Sequence, residues 1–229
     1  MKRDVGVVIV AAGSGSRTGS TELKQFRWVA GKPMLLHSLQ TFQARNDVAM
    51  VVCVLPRGYA GDPPPWIFQS DAERLLLSVG GRHRNESVAN GLEDLPAECE
   101  IVVVHDAARP LVSSETIGRV IDEARKGNGA VAALPVTDTL KRVDSQDNIV
   151  VTVDRSGLWR AQTPQAFPRK MLERAHREAF EANRFGTDDA ALCEQIGLPV
   201  VVVRGSERAM KITEENDFAV VEALSIFRE

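Results

Sequence analysis

Five short runs of mainly Val, Leu, Ile and Ala do most to limit the folds that this chain can adopt. They occupy residues 5–10, 50–55, 101–104, 130–134 and 200–203. Apolar and polar residues do not alternate within them, which is typical of strands buried on both faces of a parallel sheet. Helical patterns lie between the runs, so we predict an α/β fold with a mostly parallel sheet covered by helices on both faces.

The stretches between the runs have the periodicity of amphipathic helices. One predicted helix has Pro33 in its first turn, and another follows a serine cap and ends before Gly127. Their buried faces would be formed by Leu35, Leu36, Leu39 and Phe42, and by Ile117, Val120, Ile121 and Ala124. The length of 229 residues suits one domain of this kind over residues 1–229.

Residues 138–160 interrupt this alternation. Two strand-like pieces, 139–143 and 149–153, flank the turn-rich sequence DSQDN and predict an inserted β-hairpin, here named the arm. An isolated hairpin is marginal in water, and its apolar residues Val143, Ile149, Val151 and Val153 would form an exposed patch. We expect the arm to pack on a second copy in a twofold homodimer. The alternative is that it folds back on its own domain. Residues 61–66, GDPPPW, are predicted to form a surface loop.

Composition excludes several classes of protein. The chain has 28 Lys and Arg against 31 Asp and Glu, and this formal net charge of -3 argues against a general nucleic-acid binder. No apolar stretch approaches the roughly 18 residues of a membrane span, and the first apolar run is too short for a signal peptide. The cysteines Cys53, Cys99 and Cys193 fit neither a disulfide framework nor a zinc site. We expect a cytoplasmic protein.

The first run ends in a loop of small residues that could bind phosphate. Ala11, Ala12, Gly13, Ser14 and Gly15 would leave backbone N–H groups open to an anion. The loop is neither the dinucleotide motif nor a P-loop. The loop could instead be only a tight turn between a strand and a helix. Arg17 or Lys24 taken singly could be a surface charge. Arg17 and Lys24 together suggest a clamp for a polyphosphate.

Two further junctions carry candidate residues. Gly80 and Gly81 separate the short run 75–79 from a predicted helix that contains Ser87. Asp106 follows a buried strand, where it could accept hydrogen bonds from sugar hydroxyls or help to hold a metal. Its neighbour His105 is interpreted as a packed residue at the strand end, and Asp188 as a helix N-cap.

Seven motifs in order identify a family that the chain resembles. They are AAGSGSR…KQF, GGRHRNESV, HDAARP, PVTDTLKR, DRSGLWRAQTPQAF, TDDA and MKITEENDF, and they span residues 7 to about 224. Together they resemble the 2-C-methyl-D-erythritol 4-phosphate cytidylyltransferases of the non-mevalonate isoprenoid pathway. HDAARP and RAQTPQAF are highly specific, whereas the glycine loop alone is not. Leu23, Arg82 and Ala209 depart from the usual pattern, where proline, an acidic residue and asparagine are common.

The resemblance implies a Rossmann-like nucleotidyltransferase domain, a dimerisation arm and a role for each matching residue. Arg17 and Lys24 would stabilise the charge of the transition state, while Arg155, from the partner's arm, and Lys211 would align the attacking phosphate. The triphosphate would lie on Ala11, Ala12, Gly13 and Gly15, and the cytidine side on Gly81, Arg82, Ser87 and Ala107. The methylerythritol phosphate would lie on Asp106, Arg109, Thr139 and Thr163.

The resemblance also implies Mg²⁺ as the cofactor, held mainly by the phosphates of CTP rather than by a protein cage. Two other functions stay open at this point. The chain could be a cytidylyltransferase for another polyol phosphate, such as ribitol 5-phosphate, since that enzyme would share the nucleotide half of the site. It could also be a non-catalytic nucleotide-binding or regulatory module, although such a module has no need for four cations around one site.

Overall fold

The computed structural model describes residues 2–13 and 22–227 of the chain. Its strands are β1 (Val5–Val10), β2 (Trp28–Val29), β3 (Lys32–Pro33), β4 (Val48–Leu55), β5 (Leu75–Val79), β6 (Ile101–Asp106), β7 (Gly129–Pro135), β8 (Leu140–Val143), β9 (Ile149–Val153), β10 (Trp159–Pro168) and β11 (Val200–Arg204). Its α-helices are α1 (Met34–Gln43), α2 (Arg57–Ala60), α3 (Arg84–Glu93), α4 (Ser114–Arg125), α5 (Arg169–Glu181), α6 (Asp189–Glu194) and α7 (Glu215–Ile226).

Seven strands form the main sheet in the order β11-β7-β10-β6-β1-β4-β5. The five predicted runs are β1, β4, β6, β7 and β11, and each is paired in parallel with at least one neighbour. The predicted α/β fold with a mostly parallel sheet is therefore confirmed. Strands β4 and β6 extend beyond the predicted runs, so that Asp106 is the last residue of β6 rather than the first residue after it.

Strand β5 is the shorter run 75–79, and β10 is the strand of the main sheet that no apolar run predicted. It lies antiparallel between β6 and β7. Its buried positions include the polar residues Gln162, Thr163 and Gln165, which break the apolar pattern. Hydrogen bonds satisfy these side chains, as when Gln162 donates to the carbonyl oxygen of Ser206 (3.0 Å). A hydrogen-bonded polar side chain can be buried at little cost, so hydrophobicity alone misses such a strand.

Helices cover both faces of the sheet. Helices α1 and α4 contribute Leu39, Phe42 and Ile117 to one apolar core, whereas α3, α5 and α6 contribute Val88, Leu172 and others to the second. The predicted faces of α1 and α4 are buried, and the Ser113 hydroxyl caps α4 as expected. Pro33 lies at the N-cap of α1, one residue before the predicted first turn.

The arm is present as a separate two-stranded sheet of β8 and β9. Val143, Ile149 and Val151 expose 47%, 65% and 44% of their surface in the single chain, whereas Val153 is half-buried. The adjacent Val150 is also 63% exposed, so apolar side chains are exposed on both faces of the arm. Such a patch is unusual on the surface of a monomer.

Residues 61–64 form a loop, as predicted, and Gly61 and Asp62 in it are exposed. They lead into a 3₁₀ helix, Pro65–Gln69, in which Ile67 is fully buried. The Trp66 ring packs edge-on against Phe26, with ring centroids 5.7 Å apart. The segment is therefore anchored to the core behind β1. Within residues 2–13 and 22–227, no helix combines the length and hydropathy needed to cross a bilayer.

Candidate active site

A cleft of about 500 Å³ opens at the carboxyl ends of β1 and β6, where α/β sheets commonly bind ligands. Its walls come from the loop after β1, the loop between β5 and α3, the end of β6 and the segment before α7. The described residues that line it are Val10, Ala11, Ala12, Gly13, Lys24, Gln25, Gly81, Arg82, His83, Arg84, Ser87, Asp106, Ala107, Ala108, Lys211 and Thr213. The volume is in the range of small-molecule sites.

The side chain of Gln25 holds the loop after β1. Its amide nitrogen donates to the carbonyl oxygens of Ala11 (2.6 Å) and Gly13 (3.1 Å). Gln25 belongs to a 3₁₀ turn, Lys24–Phe26, that Leu23 precedes with a φ of -62°. A proline has nearly the same φ, so leucine at this position keeps the backbone that a proline would fix. Leu23 also packs against the core.

Two glycines let the loop after β5 approach the loop after β1. A Cβ atom on Gly80 would lie 2.2 Å from the Cβ atom of Ala12, and one on Gly81 would lie 2.3 Å from that of Glu86. The Gly81 N–H group donates to the Ser87 hydroxyl, which donates to the His83 carbonyl oxygen. These contacts place the loop along one wall of the cleft.

Arg82 joins this loop through its backbone. Its N–H group donates to the Glu86 carboxylate (2.8 Å), and its side chain is exposed at the edge of the cleft. Because this contact uses the backbone N–H group, it does not depend on which side chain stands at position 82.

Asp106 lies between two cations from distant parts of the chain. Lys211 Nζ donates to Asp106 Oδ2 (2.6 Å), and Arg84 Nε lies 3.5 Å from Asp106 Oδ1. Burial alone would raise the pKa of Asp106, but the charges of Arg84 and Lys211 outweigh it and hold the pKa well below its usual value. Asp106 is therefore ionised at neutral pH.

Lys24 contacts the segment before α7, which also carries Lys211. Its Nζ donates to the carbonyl oxygen of Ile212 (2.6 Å), the residue that follows Lys211. Ile212 is fully buried, and its N–H group donates to the Ala108 carbonyl oxygen (2.9 Å). Two lysines separated by most of the chain thus line one cleft, with a single anchored segment between them.

Thr163 and His105 form a hydrogen-bonded chain beneath Asp106. The ring nitrogens of His105 contact the Thr163 hydroxyl (3.1 Å) and the Arg109 carbonyl oxygen (3.2 Å). Burial lowers the pKa of His105 to about 4, so the ring is neutral. A carbonyl oxygen only accepts, so Nε2 carries the proton and Nδ1 accepts from Thr163. The Thr163 oxygen in turn accepts from the Asp106 N–H group (3.0 Å).

These hydrogen bonds bear on the interpretation of His105 and Thr163. His105 is fully buried, as predicted for a packed strand-end residue. Thr163 is also buried, and its hydroxyl already donates one hydrogen bond and accepts another. Thr163 thus holds the backbone of Asp106 in the free protein, and its predicted place beside the acceptor stays a prediction.

Other predicted site residues lie around the cleft or away from it. Arg109 is half-buried and donates to the carbonyl oxygen of the buried Ala209 (2.7 Å). Thr139 and Arg155 are exposed in the arm, where Arg155 Nη1 contacts the Thr137 carbonyl oxygen. None of the described residues that line the cleft comes from the arm of the same chain. Gly15 and Arg17 lie outside the described residues.

The sequence reasoning missed Arg84 and Asp189. Arg84 Nη1 donates to Asp189 Oδ2 (2.7 Å), and Asp189 Oδ1 contacts the ring of His176 (3.0 Å). Both residues stand inside recognised motifs, GGRHRNESV and TDDA. The neighbouring Asp188 caps α6 as predicted, since its Oδ1 accepts from the Ala191 N–H group. The ion pair of Arg84 with Asp189 has no such local pattern in the sequence.

The chain is similar to known proteins over nearly its whole length. The family described as IspD, 2-C-methyl-D-erythritol 4-phosphate cytidylyltransferase, matches residues 5–226. A protein of that name from Syntrophus aciditrophicus is 40% identical over 226 residues, with 97% of this chain and 96% of the relative covered. One from Ralstonia nicotianae is 43% identical, with 95% and 90% covered.

A solved structure is similar over the whole fold. The crystal structure of 2-C-methyl-D-erythritol 4-phosphate cytidylyltransferase from Thermus thermophilus has a TM-score of 0.83 and 35% sequence identity. The match covers 99% of this chain and 100% of the solved chain. The resemblance inferred from the seven motifs is confirmed. The chain belongs to the 2-C-methyl-D-erythritol 4-phosphate cytidylyltransferase family.

Proposed function

We propose that this chain joins CTP and 2-C-methyl-D-erythritol 4-phosphate, giving 4-diphosphocytidyl-2-C-methyl-D-erythritol and diphosphate, in non-mevalonate isoprenoid precursor biosynthesis. The observation that carries the proposal is the meeting of Lys24, Lys211 and Asp106 at one cleft at the carboxyl end of the sheet. A phosphate oxygen of the acceptor attacks the α-phosphorus of CTP, and the bond to diphosphate breaks. Two anions must approach each other, so positioned cations supply most of the catalysis.

The cations divide between the two reacting groups. Lys24, together with Arg17, stabilises the charge that develops on the α-phosphate. Lys211 and Arg155 align the phosphate of the acceptor. Asp106, whose carboxylate stays ionised, binds hydroxyl groups of the acceptor. Arg109 and Thr139 belong to the same acceptor side.

The nucleotide lies on the backbone of the two glycine loops. Ala11, Ala12, Gly13 and Gly15 hold the triphosphate, because small side chains leave the N–H groups open to phosphate oxygens. The cytidine lies along Gly81, Arg82, Ser87 and Ala107. The backbone contacts of Gly81 with Ser87 hold this wall in place before the ligand arrives.

We assign the Mg²⁺ of this reaction mainly to the phosphates of CTP. Among the described residues, no group of three or more His, Cys, Asp and Glu side chains is placed to hold a metal ion. The carboxylate at the cleft, Asp106, already has two cationic partners. Mg²⁺ commonly keeps water and substrate phosphates as ligands, and it would neutralise the leaving diphosphate. Activity should be lost in EDTA and return with added Mg²⁺.

We also propose that the enzyme is a cytoplasmic homodimer whose arm completes the partner's cleft. The exposed valines and isoleucine of the arm support it, because they need a surface to cover them. Arg155 stands on the arm and is not among the described residues that line the cleft of its own chain, which leaves it available to a partner. The three cysteines are free thiols, which suits a reducing compartment.

A substrate comparison tests the proposed reaction. Purified protein with Mg²⁺ is given each nucleoside triphosphate in turn, with either 2-C-methyl-D-erythritol 4-phosphate or ribitol 5-phosphate, and products are identified by mass. We expect product only from CTP, and from 2-C-methyl-D-erythritol 4-phosphate far faster than from ribitol 5-phosphate. Product from ribitol 5-phosphate alone would refute the proposed substrate, and binding of CTP without turnover would indicate a regulatory module.

A further inference from the structure

Arg84 lies at the centre of a line of polar and charged side chains that crosses the cleft wall. In order, the line runs His176, Asp189, Arg84, Asp106 and Lys211, with contacts of 3.0, 2.7, 3.5 and 2.6 Å. Asp189 is fully buried and Asp106 nearly so. The two carboxylates and the two cations balance, which lowers the cost of burying them.

Arg84 is held firmly on one side and loosely on the other. Its Nη1 donates to Asp189 at 2.7 Å, whereas its Nε lies 3.5 Å from Asp106, at the limit of a hydrogen bond. The preceding residue is held from the same direction, since the His83 ring packs edge-on against Phe185 with centroids 5.1 Å apart. Phe185, just before α6, and Asp189, the first residue of α6, therefore brace two consecutive residues where the cleft loop enters α3.

The guanidinium group has one unused donor. Arg84 Nη2 is buried and has no hydrogen-bond partner within the described part of the chain. In a guanidinium group, Nε and Nη2 form one edge whose N–H bonds run parallel and match the two oxygens of a carboxylate. Nε on that edge already faces Asp106. A small movement of Asp106 would turn one long contact into a bidentate pair.

Lys211 is the competing partner of Asp106. Its 2.6 Å contact keeps the carboxylate on the lysine side when no substrate is present. In the proposed function, Lys211 must instead contact the phosphate of the acceptor. A buried carboxylate that loses its cation is strongly destabilised, so a second cation has to be ready to receive it.

We propose that Arg84 is a positioning residue of the transfer reaction: braced by Asp189, it receives the Asp106 carboxylate as a bidentate pair when Lys211 turns to the phosphate of the acceptor. This inference rests on the proposed function and adds a residue to it. The exchange keeps Asp106 ionised and fixed, and it releases Lys211 for the substrate. Arg84 contributes without contacting the reacting atoms.

The test compares Arg84→Lys with Arg177→Lys, a matched change at an exposed arginine of α5. Lysine keeps the charge but cannot form the bidentate pair. The KM for 2-C-methyl-D-erythritol 4-phosphate should rise about 10- to 100-fold, the usual effect of losing a hydrogen bond to a charged group. The KM for CTP should change less than about twofold, and the Arg177 variant should match the wild type.

A second comparison separates positioning from a structural role. The Asp106→Asn variant has no carboxylate for Arg84 to receive. Adding Arg84→Lys to that variant should therefore change its KM for 2-C-methyl-D-erythritol 4-phosphate less than about twofold. If the two effects multiply instead, or if Arg84→Lys leaves the acceptor KM unchanged, the inference is wrong. Should Arg84→Lys fail to unfold cooperatively, Asp189→Asn removes the brace and is judged by the same KM criteria. A wild-type protein that makes no product would refute the proposed reaction itself.

Discussion

Lys24 is the residue whose removal tests the charge-stabilising role most simply. Its ammonium group is fixed on the Ile212 carbonyl oxygen, so the cleft offers a positioned charge before substrate binds. A group that meets charge developing in the transition state lowers the barrier more than it tightens binding. We predict that Lys24→Ala lowers kcat about 100- to 1,000-fold, with a much smaller change in the Kd for CTP.

Steady-state kinetics and calorimetric titration with CTP measure the two quantities. Lys170→Ala, at an exposed lysine of α5, is the control and should keep the wild-type kcat. If Lys24→Ala raises KM for CTP while kcat stays near the wild-type value, Lys24 binds the nucleotide and does not act on the transition state.

His105 makes the stability of the protein depend on pH. Its pKa is lowered by burial from 6.5 to about 4, whereas in the unfolded chain it keeps the ordinary value. Between these values the unfolded chain binds a proton that the folded chain does not. The stabilisation is therefore complete above about pH 6.5 and is lost as the pH falls towards 4.

We predict that His105→Gln flattens this dependence of the free energy of unfolding, because glutamine does not titrate. Urea unfolding at pH 7, 6 and 5 measures it. His37, which is also buried with a lowered pKa, should account for part of the remaining slope. The wild-type protein, measured in parallel at each pH, is the reference. An unchanged slope in His105→Gln would mean that His105 does not govern stability in this range.

The site residues that could be predicted from the sequence are those whose role follows from their sequence neighbours. Asp106 ends an apolar strand, and Asp188 is followed by a helix, so both could be interpreted from their neighbours. Arg84 and Asp189 could not, because their contact joins residues 105 positions apart. The hydrogen bonds of the Thr163 hydroxyl with His105 and Asp106 could not be predicted either, since these residues meet only in the folded sheet.

At the scale of elements, the junctions after β1 and β5 determine the shape of the nucleotide wall. Gly80 donates to the carbonyl oxygen of Leu55 (2.7 Å) and leaves no room for a side chain beside Ala12. We predict that Gly80→Ala lowers the free energy of unfolding by about 1–3 kcal/mol, a typical cost of overpacking. It should also weaken CTP binding, because the two loops must separate.

Urea unfolding and CTP titration check this prediction. Gly58→Ala is the matched control, since a Cβ atom there would meet nothing within 4 Å. Full stability and full CTP affinity in Gly80→Ala would show that the close approach of the two loops has no role in the site.

Elements were predictable where one physical signal dominated. The apolar runs became parallel strands, and β1, β6 and most of β4 and β7 are buried on both faces, whereas the edge strand β11 leaves Val202 half-exposed. Strand β10 was missed because its buried face carries hydrogen-bonded Gln and Thr. Trp66 and Ile67 were missed because a proline-rich sequence usually indicates a surface loop, whereas here two apolar side chains anchor it.

At the scale of the whole molecule, the arm is the part whose apolar side chains stay exposed in the single chain. It carries Arg155 and Thr139, which are not among the described residues that line the cleft of their own chain, and it exposes Ile149 and Val150 to solvent. Both features are explained if two chains exchange arms about a twofold axis. The central claim of this account is that the cleft becomes an active site only when a partner's arm supplies Arg155.

Mixing two inactive variants tests that claim most directly. Lys24→Ala and Arg155→Ala should each be nearly inactive alone. After subunit exchange, each heterodimer holds one cleft with its own Lys24 and an intact Arg155 from the partner's arm. Equal mixing should therefore restore about one quarter of wild-type activity, because half of the dimers have one of two sites intact. No recovery, despite exchange shown by co-purification of two tags, would mean that Arg155 serves its own chain.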